Sequence, residues 1–322
     1  MAKQAVKKSS RRLKQNLVGW GFVLPSLIVF ILFMFLPIVL GFWYSLTDYT
    51  GLSKDYQFIG LQNYIKMFSD RYFKVSVKNN CIYAVWFSVL TMLVSLILAS
   101  LLNRLMRFRK FFRIAFFLPY ISSMVSVAVI WKMIFNPQGG PLNTVLGQLG
   151  ISNPPQWLAS TTWALYAVII VSVWKNCGYY MMIFLAGLQN VPDSLYEAAA
   201  LDGAGKLQQY FRITLPLISP TIFLNLILVT INSFQVFDLV SVMTDGGPGM
   251  STNVLAYRIY YEGFKSMHMG YASAISYFLF AVILVITIIQ FVAQKYWVNY
   301  DSGGAHTRKK AKNVIFYALM FL

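Results

Sequence analysis

The chain alternates long apolar blocks with short polar ones, and the blocks decide its architecture. Six stretches reach the roughly 20 apolar residues that cross a bilayer as a helix: about 20–45, 82–103, 114–135, 163–187, 217–243 and 272–296. Lipid offers backbone groups no hydrogen-bonding partner, so each stretch is predicted to be helical. The fold class is therefore all-α, a polytopic membrane protein with six transmembrane helices. The domain reading is a basic tail over 1–18, a transmembrane domain over 19–299 with a loop at 190–216 between the fourth and fifth spans, and a tail over 300–322. That last tail ends in an apolar run, Val314 to Leu322, of about nine residues, too short to span. Between the first two spans, Leu61-x-x-Tyr64-x-x-Met67-Phe68 has helical spacing and predicts a small amphipathic cap. The loop from Asn136 to Thr162 carries Pro137, Gly139, Gly140, Pro141, Pro154 and Pro155 and is expected to turn repeatedly without a regular element, with Trp157 and Trp163 marking a membrane interface.

Composition agrees with a bilayer as solvent: 58% of the 322 residues are apolar, 17% aromatic and only 11% charged. The net charge of +17 suggests nucleic acid until its positions are read. About 18 of the basic residues fall at the two ends and in the loops that an even number of spans places on the same side, and about 7 on the other. Arg104, Arg107, Arg109, Lys110 and Arg113 crowd one short turn, whereas Asn136 to Thr162 holds no charge. The positive-inside rule puts both termini and the 190–216 loop in the cytoplasm and leaves no role for nucleic acid. The first apolar segment follows Lys7, Lys8, Arg11, Arg12 and Lys14 but is too long and aromatic for a signal peptide and lacks a small-residue cleavage site. Cys81 and Cys177 are assigned different depths, which disfavours a disulfide, and His268 and His306 alone build no metal cluster.

The loop at 190–216 carries the most chemistry. Ser194-x-x-Glu197 fits a capping box, so a short helix is expected to begin just after Ser194. Ala198, Ala199 and Ala200 give that helix a surface that another protein approaches closely, and Gly203 supplies the left-handed residue that ends it. A second short helix through Phe211 then leads into the fifth span near Pro216. The same residues describe a well-capped loop and no more. Taken together, however, Glu197-Ala198-Ala199, Gly203 and Ile213-x-Leu215-Pro216 resemble the coupling loop of permease subunits in binding-protein-dependent ABC importers.

That resemblance implies the type I importer permease fold and a contact, through Glu197, Ala198, Ala199, Asp202, Gly203 and Ala204, with a separate ATP-binding subunit. No Gly-x-x-x-x-Gly-Lys-Ser/Thr occurs in the chain, so ATP and its magnesium belong to that partner and the chain binds no cofactor and catalyses no reaction itself. On the opposite side, Thr244-Asp245-Gly246-Gly247-Pro248-Gly249-x-Ser251-Thr252 followed by Leu255-x-x-Arg258-Ile259-Tyr260 is similar to a loop of the carbohydrate branch, including glycerol-phosphate, lactose and maltose systems. The resemblance implies that Gly246, Gly247 and Pro248 face an extracellular solute-binding protein, that two ATP-binding subunits and a second, paralogous permease complete the complex, and that a sugar is imported across a bacterial plasma membrane.

Polar groups inside spans are costly and mark a pathway or an internal partner. Lys175 and Asn176 lie halfway along the fourth span, Asn232 and Ser233 halfway along the fifth, and Tyr179 one turn from Lys175. Amides and an aromatic face suit sugar hydroxyls and C–H faces, but the same groups equally tie helices together. By resemblance to the maltose system, sugar contacts fall on Asn176, Tyr179, Asn232, Ser233 and Val236, the last a departure from an amide-bearing position. The runner-up function is an ion-coupled secondary transporter, disfavoured because no internal repeat and no midplane carboxylate is evident. A membrane-embedded enzyme lacks an acidic pair or His cluster.

Overall fold

The computed structural model describes residues 18–53, 55–104 and 108–299. The basic tail before Val18, Arg107 and the tail from Tyr300 with its apolar run Val314 to Leu322 lie outside the described residues. Regular structure among the described residues is helical apart from one isolated bridge between Thr47 and Phe58. Five helices are long and apolar enough to cross a membrane, and a sixth span is built from a bent pair. They are α1 (Val18–Ser45), α3 (Arg71–Arg104), the pair α4 (Arg109–Ile121) and α5 (Met124–Ile134), α7 (Ala164–Gln189), the segment Ser219–Met243, and α13 (Met269–Ala293) with its short continuation to Tyr296. Shorter elements are α2 (Gln62–Ser69), α6 (Pro141–Gln148), α8 (Asp193–Leu201), α9 (Lys206–Gln209) and α12 (Leu255–Tyr260).

Several expectations are corrected. The span predicted at 114–135 is two helices meeting at 96°. Pro119 withholds an N–H near the end of α4, and Ser122 and Ser123 then take extended conformations, so the ladder cannot continue. Ser219–Met243 is likewise interrupted, between α10 (Ser219–Phe234) and α11 (Asp238–Met243), at Gln235 to Phe237. The second span starts earlier than its apolar run. Asp70 accepts the Tyr72 N–H at 2.8 Å as an N-cap, so α3 already runs through Lys74 and Lys78, which the apolar pattern left in the loop. The segment from Asn136 to Thr162 is not irregular: Pro141 sits at the first turn of α6, where its missing N–H costs nothing, and Trp157 opens a short 3-10 turn. Trp157 Nε1 donates to Asn143 Oδ1 at 2.7 Å and fastens the two pieces together.

The chain forms two compact units. Among the described residues, the first comprises 18–69 and 261–277. In it Asn63 of α2 donates Nδ2 to the carbonyls of Ser45 and Thr47 at 2.9 and 2.8 Å, satisfying acceptors at the end of α1. Tyr44, Tyr49 and Tyr56 cluster beside it, and Tyr277 donates its hydroxyl to the Ile38 carbonyl. Within α1 itself, Ser45 is the one buried residue. A π-helical turn at Ile31–Phe35 lies where Pro37 leaves the ladder short of a donor.

The second unit comprises, among the described residues, 70–260 and 278–299. Its core is centred on α7, whose buried Ala167, Val168, Tyr180, Met181, Phe184 and Leu185 pack with Tyr83, Phe87 and Met92 of α3, Val127 of α5, Val229 of α10 and Leu239 of α11. Polar bonds fix neighbours: Ser95 Oγ donates to the Cys177 carbonyl at 2.9 Å, and Gln290 Nε2 to Thr230 Oγ1 at 2.8 Å. Between lipid-soluble helices such contacts and close packing, not water exclusion, supply the cohesion.

Candidate functional site

Gly178 brings α4 against α7. A Cβ at this position would overlap the Phe116 carbonyl, so only glycine lets the helices approach this closely. One turn earlier on α7, Lys175 reaches the bend and donates Nζ to the carbonyls of Pro119, Tyr120 and Ser122 at 2.9, 2.9 and 2.8 Å. An interrupted helix leaves its last carbonyls without donors, and a cation there also opposes the negative end of the dipole. Lys175, 4% exposed, thus seals the broken span, and its three protons are all engaged by the protein. Tyr179 stacks on Tyr120 at 4.6 Å with rings inclined by 16° and belongs to the same junction.

A cavity of about 180 Å³ lies between the two broken spans. Of the six positions singled out for a substrate path, it brings together Asn176, Asn232 and Val236. It does not include Lys175, Tyr179 or Ser233, which is fully buried with Oγ on the Thr230 carbonyl at 2.6 Å. Asn176 donates Nδ2 to the Ser172 carbonyl at 2.8 Å, and Asn232 donates Nδ2 to the Tyr180 hydroxyl at 2.8 Å. These bonds orient both amides. The remaining lining was not singled out: Tyr83 and Phe87, stacked at 5.4 Å on α3, Met124 at the start of α5, Ser172, Gln235, and Phe237 to Leu239. A signal was available in the i, i+4 spacing of Tyr83 with Phe87 and of Ser172 with Asn176. Asp238 is the one charged residue in the lining, which contains no Lys or Arg. Asn232, Gln235 and Asp238 are exposed, so polar groups of an otherwise apolar span face out of the subunit.

The Glu197 loop is built differently at its start than expected. Pro192 is the N-cap in an extended conformation, Asp193 already lies in α8, and no side-chain cap is formed, so Ser194 and Glu197 make no capping box. Proline at the cap and Asp193 in the first turn replace it. The other end follows the local chemistry. Gly203 takes φ +79°, its N–H bonds to the Ala200 carbonyl at 3.0 Å and that of Ala204 to Ala199 at 2.9 Å, the paired bonds of a glycine C-cap. Glu197, Ala198, Ala200, Asp202 and Gly203 are exposed, with Ala199 and Ala204 partly covered, and α8 buries none of its residues. Leu201 at 91% and Leu207 at 75% exposure sit beside them. The loop then re-enters the fifth span through a π-helical turn, Tyr210–Thr214, where Tyr196 and Thr214 share a 2.9 Å hydrogen bond.

At the other end of the spans, the 244–252 loop is a fixed structure. Gly246 turns inward and is buried against Tyr257, whose hydroxyl donates to both the carbonyl and Oδ1 of Asp245 at 2.9 Å. Gly247 and Pro248 are half-buried, and Asp245 and Gly249 are the exposed neighbours. Thr252 Oγ1 donates to the Gly247 carbonyl, while Asn79 Nδ2 holds the carbonyls of Met250 and Asn253 at 2.8 and 3.0 Å. Behind it Arg258 pairs with Asp70 at 3.4 Å and lies over the Tyr72 ring.

Helical spans around a small polar cavity, with an exposed helix-glycine-helix loop joining the fourth and fifth, define a membrane permease subunit. The profile of the family described as "Binding-protein-dependent transport system inner membrane component" matches residues 91–297, and the chain belongs to that family. It is 38% identical over 280 residues, 86% of this chain and 96% of the relative, to the "Probable ABC transporter permease protein YurN" of Bacillus subtilis (strain 168). It is 35% identical over 271 residues, 84% of this chain and 91% of the relative, to the "sn-glycerol-3-phosphate transport system permease protein UgpA" of Yersinia pestis. Among solved structures, a chain of a bacterial alginate ABC transporter in complex with an alginate pentasaccharide-bound periplasmic protein superposes with TM-score 0.79 at 24% identity, covering 88% of this chain and 96% of that one, which shows the shared fold.

Proposed function

We propose that this chain is the transmembrane subunit of an ATP-driven importer that moves a sugar, delivered by an extracellular solute-binding protein, into a bacterial cytoplasm by alternating access. The observation that carries the reading is the loop from Asp193 to Ala204: a capped helix with no buried residue, on which Leu195 and Leu201 stand in the open. Apolar side chains clustered on an otherwise hydrophilic protrusion are the signature of an interface. With both termini in the cytoplasm, as the basic residues imply, the occupant is one of two ATP-binding subunits that carry ATP and magnesium. Glu197, Ala198, Ala199, Asp202, Gly203 and Ala204 form the contact, and displacement of the loop reaches the cavity along the fourth and fifth spans.

The cavity supports the substrate side of this reading. Its volume of about 180 Å³ is below the roughly 300–1,000 Å³ of complete ligand sites, and its exposed amides face outward. A second, paralogous permease closes it. Asn176, Asn232 and Gln235 meet hydroxyls and the Tyr83 and Phe87 rings meet C–H faces. With Asp238 present and no cation in the lining, an uncharged sugar suits the site better than a phosphate or a uronate. In that respect it differs from what its relatives' names imply, sn-glycerol-3-phosphate in one case and the acidic polysaccharide alginate in another. Gly247, Pro248 and the exposed Asp245 and Gly249 offer the outer face to the binding protein, with Gly246 shaping the loop from within.

Hydrolysis of ATP by the reconstituted complex, with and without sugar-loaded binding protein, tests the proposal. Stimulation by the loaded protein, lost with Glu197→Lys, is expected. Uptake that follows an ion gradient without ATP would sink it.

A further inference from the structure

A second cavity, of about 430 Å³, lies where the end of α3 meets the loop that carries α8 and α9. Arg104, the last residue of α3, and Lys206, the first of α9, both line it. Both are exposed, and neither forms an ion pair among the described residues. The neighbouring Arg109 has a different task, closing α3 by donating to the carbonyls of Leu102 and Asn103. The cavity wall offers hydroxyls and amides: Ser100, Asn103, Tyr196, Gln209 and Thr214, with no carboxylate. Arg104 and Lys206 also border an adjoining hollow of about 290 Å³, lined by Ile97, Leu101 and Leu207. Ile97 and Leu101 are each 56% exposed on the lipid side of α3.

Ile97, Leu101 and Arg104 follow i, i+4, i+7 spacing and so share one face of α3. Along that face the surface passes from apolar to cationic within about 10 Å, seven residues at a helical rise. A soluble anion needs the cationic pocket alone. An apolar channel leading into a cationic, donor-rich chamber at a membrane interface has the polarity of a phospholipid, with acyl chain in the channel and phosphate between the cations.

We propose that this groove binds an anionic phospholipid of the cytoplasmic leaflet, its phosphate held by Arg104 and Lys206. The proposal rests on the reading that puts the Glu197 loop in the cytoplasm. One wall of the groove is the third helix and the other is the loop, bridged at present by a 3.0 Å hydrogen bond between Ser100 Oγ and the Tyr210 hydroxyl. A lipid lodged there braces the loop against α3, so the composition of the inner leaflet sets how firmly the loop is held.

The test uses the complete transporter with its ATP-binding subunits and second permease. Lipid retained after purification is counted by native mass spectrometry, and ATP hydrolysis is compared in phosphatidylcholine vesicles with and without phosphatidylglycerol. Wild type is expected to retain phosphatidylglycerol preferentially and to be stimulated by it. Each basic residue contributes about fivefold near an anionic surface, so Arg104→Gln with Lys206→Gln loses roughly 30-fold in phosphatidylglycerol affinity. Arg104→Gln alone, outside the docking loop, leaves hydrolysis in phosphatidylcholine unchanged, and Arg104→Lys with Lys206→Arg retains binding. Undiminished phosphatidylglycerol retention by the Gln pair overturns the proposal, as does equal stimulation by soluble inorganic phosphate, which assigns the chamber to a free anion. Labelling of Leu207→Cys, with Cys81 and Cys177 replaced by Ser, by an impermeant thiol reagent reports the side separately. Labelling from outside sinks the orientation reading and with it the leaflet, whereas lipid counting still reports on the groove.

Discussion

Lys175 Nζ donates a 2.8 Å hydrogen bond to the carbonyl of Ser122, the first extended residue in the bend between α4 and α5. Together with the bonds to Pro119 and Tyr120, it makes one side chain the donor for three carbonyls that the break leaves open. Lys175→Met keeps the length of the side chain and removes every proton. Each buried acceptor without a partner costs about 1–3 kcal/mol, so a loss of about 3 kcal/mol or more is expected. It is read as a lower thermal midpoint of the purified complex, with Lys175→Arg retaining most of the stability. Normal stability with lost transport would instead return Lys175 to the substrate path.

Gly178→Ala presses a methyl group on the Phe116 carbonyl. Neither partner can turn away, since the obstacle is backbone. Overpacking of this kind costs about 1–3 kcal/mol. Weaker expression and a lower midpoint are expected, and a larger effect than Gly187→Ala, where the obstructing atoms belong to the Thr221 side chain.

Leu201→Ser alters a residue that is 91% exposed and leaves the fold of the permease unchanged. Burial of a leucine on docking is worth roughly 1.5–3 kcal/mol, so affinity for the ATP-binding subunit is expected to fall roughly 10- to 100-fold. Co-purification at graded subunit concentration measures it. Unchanged association would remove Leu201 from the interface.

Asn232→Ala deletes a cavity amide together with its 2.8 Å bond to the Tyr180 hydroxyl. Transport is expected to fall about tenfold, the weight of one or two hydrogen bonds, with the complex still assembling. Failure to assemble would mean that Asn232 only joins α10 to α7.

The spans were legible in the sequence because length and hydropathy are what the bilayer selects, and the end of α8 was legible because a left-handed Gly203 is a local requirement. The bend at Ser122 and Ser123 was not. Apolar residues continue across it from Ile114 to Phe135, and the lysine that seals it lies 53 residues further along. Pro119 with the serine pair was the signal available. Ser194 and Glu197 misled for the opposite reason: their spacing satisfies a capping box, but Pro192 ends the preceding turn and starts the helix two residues sooner. Gly246 resembled a loop tip and is buried, because its direction depends on Tyr257, eleven positions on.

Stiffness is distributed unevenly along the Glu197 loop. The paired bonds from Gly203 and Ala204 lock the end of α8, so that helix displaces as a unit and little of an applied force is lost to fraying. The π-helical turn at Tyr210–Thr214 is the softer place, a local rewinding that an α-helix absorbs or releases without breaking. On the proposed reading the loop is a rigid crank mounted on a compliant joint, and the direction in which that joint yields would set the direction in which the fifth span turns.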